Sequence, residues 1–143
     1  MPVVRNPQFN FKEGFCWTDI NSTFLKARLK GNGVFDVVTM SLFSKTHLPD
    51  WYFVCLINTK LISFYVDNFI NNTSHFQIND ARQLPIIIPT ENQLSEMKGI
   101  FNNAYRIKQA QFSGNYSLVK VEDMLNSIQN QLDKYISRLY RTI

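Results

Sequence analysis

The chain changes its apolar–polar rhythm several times, and each rhythm predicts an element. Phe9-Asn10-Phe11 alternates like a strand, Lys12-Glu13-Gly14 reads as a turn, and Phe15-Cys16-Trp17 as a second short strand. Residues 24–29 alternate again: Phe24, Lys26 and Arg28 point one way, Leu25, Ala27 and Leu29 the other, because successive side chains of a strand leave opposite faces. One face of that strand is therefore basic. Gly31-Asn32-Gly33 is a turn signal, since Gly and Asn adopt positive φ cheaply. Residues 34–38 are the expected return strand of a hairpin with Lys30 and Asn32 at its tip.

Pro49 and Asp50 then suit the first turn of a helix. Over residues 51–70 apolar side chains are too dense for one stripe, which predicts burial on most sides, with a break at Asn58-Thr59. A polar loop, Asn71-Asn72-Thr73-Ser74-His75, leads into two further expected strands, Phe76-Gln77-Ile78 and the apolar run 84–88 closed by Pro89. Thr90-Glu91-Asn92-Gln93 is a capping-box pattern, so a helix should start there and run to about residue 111 with Leu94, Met97, Phe101 and Ala104 inward. Gly114-Asn115 ends it. In the last helix Leu118, Val121, Leu125, Ile128, Leu132, Tyr135 and Leu139 alternate steps of three and four. That stripe predicts helix-on-helix packing, against the preceding helix, a second copy or another chain.

The expected fold class is α+β: a small, mostly antiparallel twisted sheet with a buried central helix, then two C-terminal amphipathic helices as a hairpin or coiled-coil-like pair. That pattern divides the chain into an α/β unit over residues 1–89 and C-terminal helices, packed on it or on a partner, over residues 90–143.

At 143 residues, with 45% hydrophobic and 18% charged side chains, the chain is long enough to bury a core and too apolar for disorder. Asn58, Lys60, Asp67 and Asn68 interrupt its longest apolar stretch, so no membrane span is expected. It opens without a basic-then-apolar leader, and its two cysteines, Cys16 and Cys55, sit among apolar neighbours as buried thiols do. A cytoplasmic location is the expectation. Phosphate-binding glycine loops, zinc-ligand spacings and a nucleophile elbow are absent from the sequence. Acids such as Asp19, Asp36, Glu122 and Asp123 fall at turns and helix starts, where they cap. No catalytic residues, metal ligands or cofactor are expected, and the chain reads as a binding module.

The net charge of +4 and pI near 9.1 permit an anionic partner. Lys26, Arg28, Lys30 and Lys45 cluster in one region, and such cations neutralise phosphates. Asn32 and the Asn71, Asn72, Thr73, Ser74, His75 loop carry side chains that donate to and accept from base edges. Together they form a candidate surface for double-stranded DNA. The alternative is a protein-interaction or oligomerisation module using the heptad helix, self-association included.

The segments TDINSTFLKARLKGNGVFDV, FVCLINTKLISFYV and FQINDARQLPIIIP, followed by a helix opened by TENQ, resemble target recognition domains of restriction–modification enzymes. They are similar both to type I specificity subunits and to the C-terminal region of fused type IIG and phage-exclusion adenine methyltransferases. In that family a glycine followed by Trp opens the domain, matched by Gly14-Phe15-Cys16-Trp17. A central helix pattern is matched by residues 56–65, and a Leu-Pro-Ile segment leading into a Glu/Gln-rich helix by residues 78–93. The resemblance implies a mixed α/β domain gripping the major groove, helices that space or dock it, a cytoplasmic setting and a DNA methyltransferase subunit or domain as partner. The methyltransferase motifs themselves are missing, so the implied role is non-catalytic specificity. Either parent class fits.

Overall fold

The computed structural model describes residues 8, 12–18, 25–31, 39–73 and 75–141. The expected strands at 9–11 and 34–38, the turn residue Asn32 and the loop residue Ser74 lie outside the described residues. Three strands form an antiparallel sheet: β1 (Gly14–Thr18) is central, flanked by β2 (Ala27–Lys30) and β3 (Thr39–Leu42). Trp17 faces Ala27 on one side and Met40 on the other, and Phe15 faces Leu29 and Leu42.

Gly14 begins a strand and is not the turn its neighbours predicted. Its hydrogen side chain admits β3: a Cβ there would stand 2.5 Å from the Leu42 carbonyl oxygen and 2.8 Å from the Phe43 ring. The glycine serves a close backbone approach.

α1 (Asp50–Ile57) starts behind Pro49 and buries Tyr52, Val54, Cys55, Leu56 and Ile57. It breaks where the sequence predicted. Thr59, almost fully buried, donates from Oγ1 to the Leu56 carbonyl at 2.7 Å, and that oxygen accepts from the Ile62 N–H at 3.4 Å, capping α2 (Lys60–Tyr65). A π-helical turn, Val66–Ile70, completes this arm, which bends 64° from α1. Among the described residues no single helix is long and apolar enough to cross a membrane.

The strands expected at 76–78 and 84–88 do not form. Ile78–Ala81 is a single helical turn, α3, because the Asp80 carboxylate accepts from the Gln77 N–H at 2.9 Å. That local cap outweighs a three-residue alternation. Residues 84–89 make no ladder, since Pro85 and Pro89 have no N–H to give one. Tyrosine hydroxyls hold this stretch instead. Tyr52 donates to the Ile87 carbonyl at 2.6 Å, and Tyr140 to that of Pro85.

α4 (Glu91–Phe112) opens with the expected reciprocal cap: the Gln93 side chain accepts from the Thr90 N–H at 2.9 Å, and Thr90 Oγ1 from the Gln93 N–H at 3.3 Å. It closes at Gly114, φ 76°, with Asn115 N–H donating to Ala110 and Gly114 N–H to Gln111, a Schellman motif. α5 (Leu118–Arg141) returns antiparallel, so that Tyr135 near its end donates to the Gln93 carbonyl at 3.1 Å. Leu132, Ile136 and Leu139 enter one core with Trp17, Tyr52, Leu56 and Met97. Each such aliphatic side chain contributes roughly 1.5–3 kcal/mol by leaving water. The fold is α+β: a small antiparallel sheet, a buried central helix and a C-terminal helical hairpin.

Candidate nucleic-acid interface

Among the described strands β2 lies at the edge of the sheet; it begins at Ala27, so the strand expected over residues 24–29 is shorter at its start, while the alternation of burial holds over residues 25–28. Leu25 and Ala27 are buried, while Lys26 and Arg28 are exposed. Leu29, expected inward, is 44% exposed. Lys30 folds back along the strand ends, donating to the Lys12 carbonyl at 2.7 Å and the Gly31 carbonyl at 3.3 Å, with its Nζ 5.7 Å from the Phe43 ring centroid. Lys45 and His47 are exposed on a turn in which the Ser44 and Thr46 hydroxyls bond at 3.1 Å.

The outer edge of β2 is closed by a side chain. Asn58, at the α1–α2 break, accepts from the Ala27 N–H and donates to the Ala27 carbonyl, both at 2.8 Å. From α5, Gln129 donates to the Asn58 carbonyl at 2.9 Å and to Asp133 Oδ1 at 3.3 Å. Asp133 Oδ1 also accepts from the Lys60 N–H at 2.9 Å. Its other oxygen is buried without a hydrogen bond, 4.0 Å from Lys60 Nζ. Above this network lies an open cleft of about 770 Å³, bounded by Lys26, Lys60, Ser63, Asn126 and Asn130. Sequence reasoning placed Lys26 and the break at Asn58-Thr59. It missed the contribution of α5, whose Asn126, Gln129, Asn130 and Asp133 lie outside the apolar stripe and look in sequence like an ordinary solvated face.

The 71–75 loop is built largely from its own side chains. Asn71 Nδ2 donates to the His75 carbonyl at 2.7 Å and to Asp80 at 3.1 Å, while its Oδ1 accepts from the Thr73 N–H at 2.9 Å and the Thr73 hydroxyl at 2.7 Å. Asn71 and Thr73 therefore shape the turn, whereas Asn72 is exposed with no side-chain hydrogen bond among the described residues. His75 is exposed beside it. Immediately after, the Phe76 carbonyl accepts from the Trp17 indole at 2.8 Å, and the two rings meet edge-on at 5.6 Å. Trp17 is the register partner of Ala27, so one central-strand residue ties the loop's exit to the basic strand.

Of the α5 stripe, Val121, Leu132 and Leu139 are buried, and Leu125, Ile128 and Tyr135 are half-buried. Leu118 is 73% exposed, next to Val119 at 70% and across the hairpin turn from Phe112 at 86%. The core also takes Ile136, Ile100 and, from α1, Cys55, whose thiol burial pushes up to about 12. Both cysteines are free and buried, and Cys55 is held as the neutral thiol. Among the described residues no group of three His, Cys, Asp or Glu side chains could hold a metal ion. No family model matches the chain, and no curated protein matches it either.

Proposed function

We propose that the chain is a double-stranded DNA recognition domain that directs a restriction–modification methyltransferase or endonuclease and carries no catalytic group of its own. The observation behind this reading is the sheet edge, where Lys26, just before β2, and Arg28, on it, stand exposed either side of buried Ala27, tied through Trp17 to a polar loop. The resemblance of residues 9–112 to target recognition domains supports it. Lys26, Arg28 and Lys45 contact phosphates, with Lys30 flanking them. Asn72 and His75 approach base edges on a turn that Asn71 and Thr73 hold, with Asn32 and Ser74 in the same role. The setting is cytoplasmic, beside the DNA and the methyltransferase partner. Selection of bound sequences from a randomised duplex pool at moderate salt tests it: an enriched motif is expected, and a pool returned unchanged refutes it.

A second reading, self-association, draws on exposed Phe112, Leu118 and Val119 at the hairpin turn. It predicts a concentration-dependent dimer in sedimentation that Leu118→Glu abolishes. A monomer at every concentration removes it.

A further inference from the structure

We infer that the cleft between β2, α2 and α5 seats a backbone phosphate of the bound DNA, so that Lys60, Ser63, Asn126 and Asn130 join Lys26 in holding the duplex. This rests on the DNA-binding reading and extends its contact surface from the sheet edge onto the C-terminal helix.

The chemistry of the walls selects the ligand. Among the described residues two ammonium groups, four carboxamides (Asn58, Asn126, Gln129 and Asn130) and two hydroxyls (Thr59 and Ser63) line the space, and no carboxylate does. Ser63 is only 8% exposed, lines the cleft, and its hydroxyl makes no hydrogen bond to any described residue. A hydroxyl lining a cleft can donate to a ligand oxygen there. Asn126 and Asn130 are exposed and have no side-chain bonds among the described residues. In contrast, Asn58, Gln129 and Asp133 are consumed in the network beneath. The Lys60–Asp133 pair is loose, 4.0 Å apart with Lys60 71% exposed, so the ammonium group is not locked to the carboxylate and can reach a phosphate in the cleft as well.

Among the described residues the apolar lining is Leu25 and Ala27, and no aromatic ring lines the cleft for a base to stack on. That favours the sugar–phosphate over the base. The cleft is open and includes Lys26, just before the edge strand, which favours a passing backbone over an enclosed free nucleotide. Its size is that of sites holding a ligand of nucleotide dimensions.

The test is fluorescence anisotropy of labelled duplexes over a salt series, with wild type, Lys60→Gln, Asn130→Ala and, as a control away from the cleft, Lys98→Gln on α4. Lys60→Gln should flatten the slope of log K against log salt by about 0.9, the share of one phosphate, and weaken all sequences alike. Asn130→Ala should weaken binding roughly 2- to 10-fold, as expected for one lost hydrogen bond, and Lys98→Gln should change neither. Wild type that binds DNA, with Lys60→Gln matching its slope and affinity, overturns the cleft assignment and leaves the DNA-binding reading standing. Wild type that fails to bind at low salt overturns both. Displacement of the duplex by a mononucleotide at micromolar concentration overturns the backbone assignment in favour of a free-nucleotide site. Circular dichroism of each variant establishes that it is folded.

Discussion

The carboxamide of Asn58 acts as one residue of β-strand for Ala27, taking its N–H and filling its carbonyl at 2.8 Å each. An edge strand with open backbone groups invites a foreign strand, and this side chain removes that opening beside the cleft. Asn58→Ala leaves both Ala27 groups unpartnered and should cost about 1–3 kcal/mol in urea unfolding. Asn58→Asp keeps the acceptor, loses the donor and sets a negative charge against the Ala27 carbonyl, so it should cost at least as much. Asn58→Asp with wild-type stability would show that the clamp does not hold the strand.

Gly14 offers a second stability test. A methyl group there meets the backbone of β3, which cannot swing aside as a flexible side-chain end can. Gly14→Ala should therefore destabilise by about 1–3 kcal/mol, as overpacking does. An unchanged denaturation midpoint would mean that β1 and β3 separate freely.

The three tyrosines around residues 85–93 give the fold a defined alkaline limit. Burial, first, and neighbouring phenols push the Tyr52 hydroxyl well above its ordinary range. Burial likewise raises Tyr140 and Tyr135 to about 12. A phenol raised in the folded state loses its proton first in the unfolded chain, near pH 10. The contribution is thus complete below about pH 10 and is lost as pH rises towards about 12. Melting temperature should be flat with pH up to about 10 and then fall, with tyrosinate absorbance rising in step. Tyr140→Phe should cost about 1 kcal/mol at neutral pH by freeing the Pro85 carbonyl, and should make the alkaline fall shallower.

Within the loop, Asn71 and Asn72 should behave differently despite being adjacent and identical. Asn71 bonds to Thr73, His75 and Asp80, so Asn71→Ala should loosen the turn and lower affinity for every duplex. Asn72→Ala should leave stability unchanged and alter preference at particular base positions, by about 1–3 kcal/mol for a lost base contact. Binding to a panel of single-base variants separates the two, and identical profiles would refute the division.

The longer helices were legible because their signals are local. The Thr90–Gln93 cap, the Asn58-Thr59 break and the α5 stripe all needed only neighbours within four residues. Stripe membership was less complete. Ile100, Ile107 and Ile136 were missed because α4 and α5 meet each other and the core on more than one flank, which widens the buried face beyond a heptad seam. The strands at 76–78 and 84–88 misled for a different reason. Apolar runs there mark burial, but the prolines and the Asp80 cap deny them a ladder, and tyrosines from residues 52 and 140 supply the bonds. Of the candidate site, Lys26 and Arg28 were visible from alternation. The cleft was not: it joins residues 26, 60, 63, 126 and 130, which no local pattern brings together.

The salt dependence of duplex binding is the sharpest test of DNA recognition by this chain. Neutralising about four phosphates, through cations such as Lys26, Arg28, Lys45 and Lys60, predicts a slope of log K against log salt near −3.6. A cognate duplex bound with no dependence on salt, or no duplex bound at low salt, would contradict it.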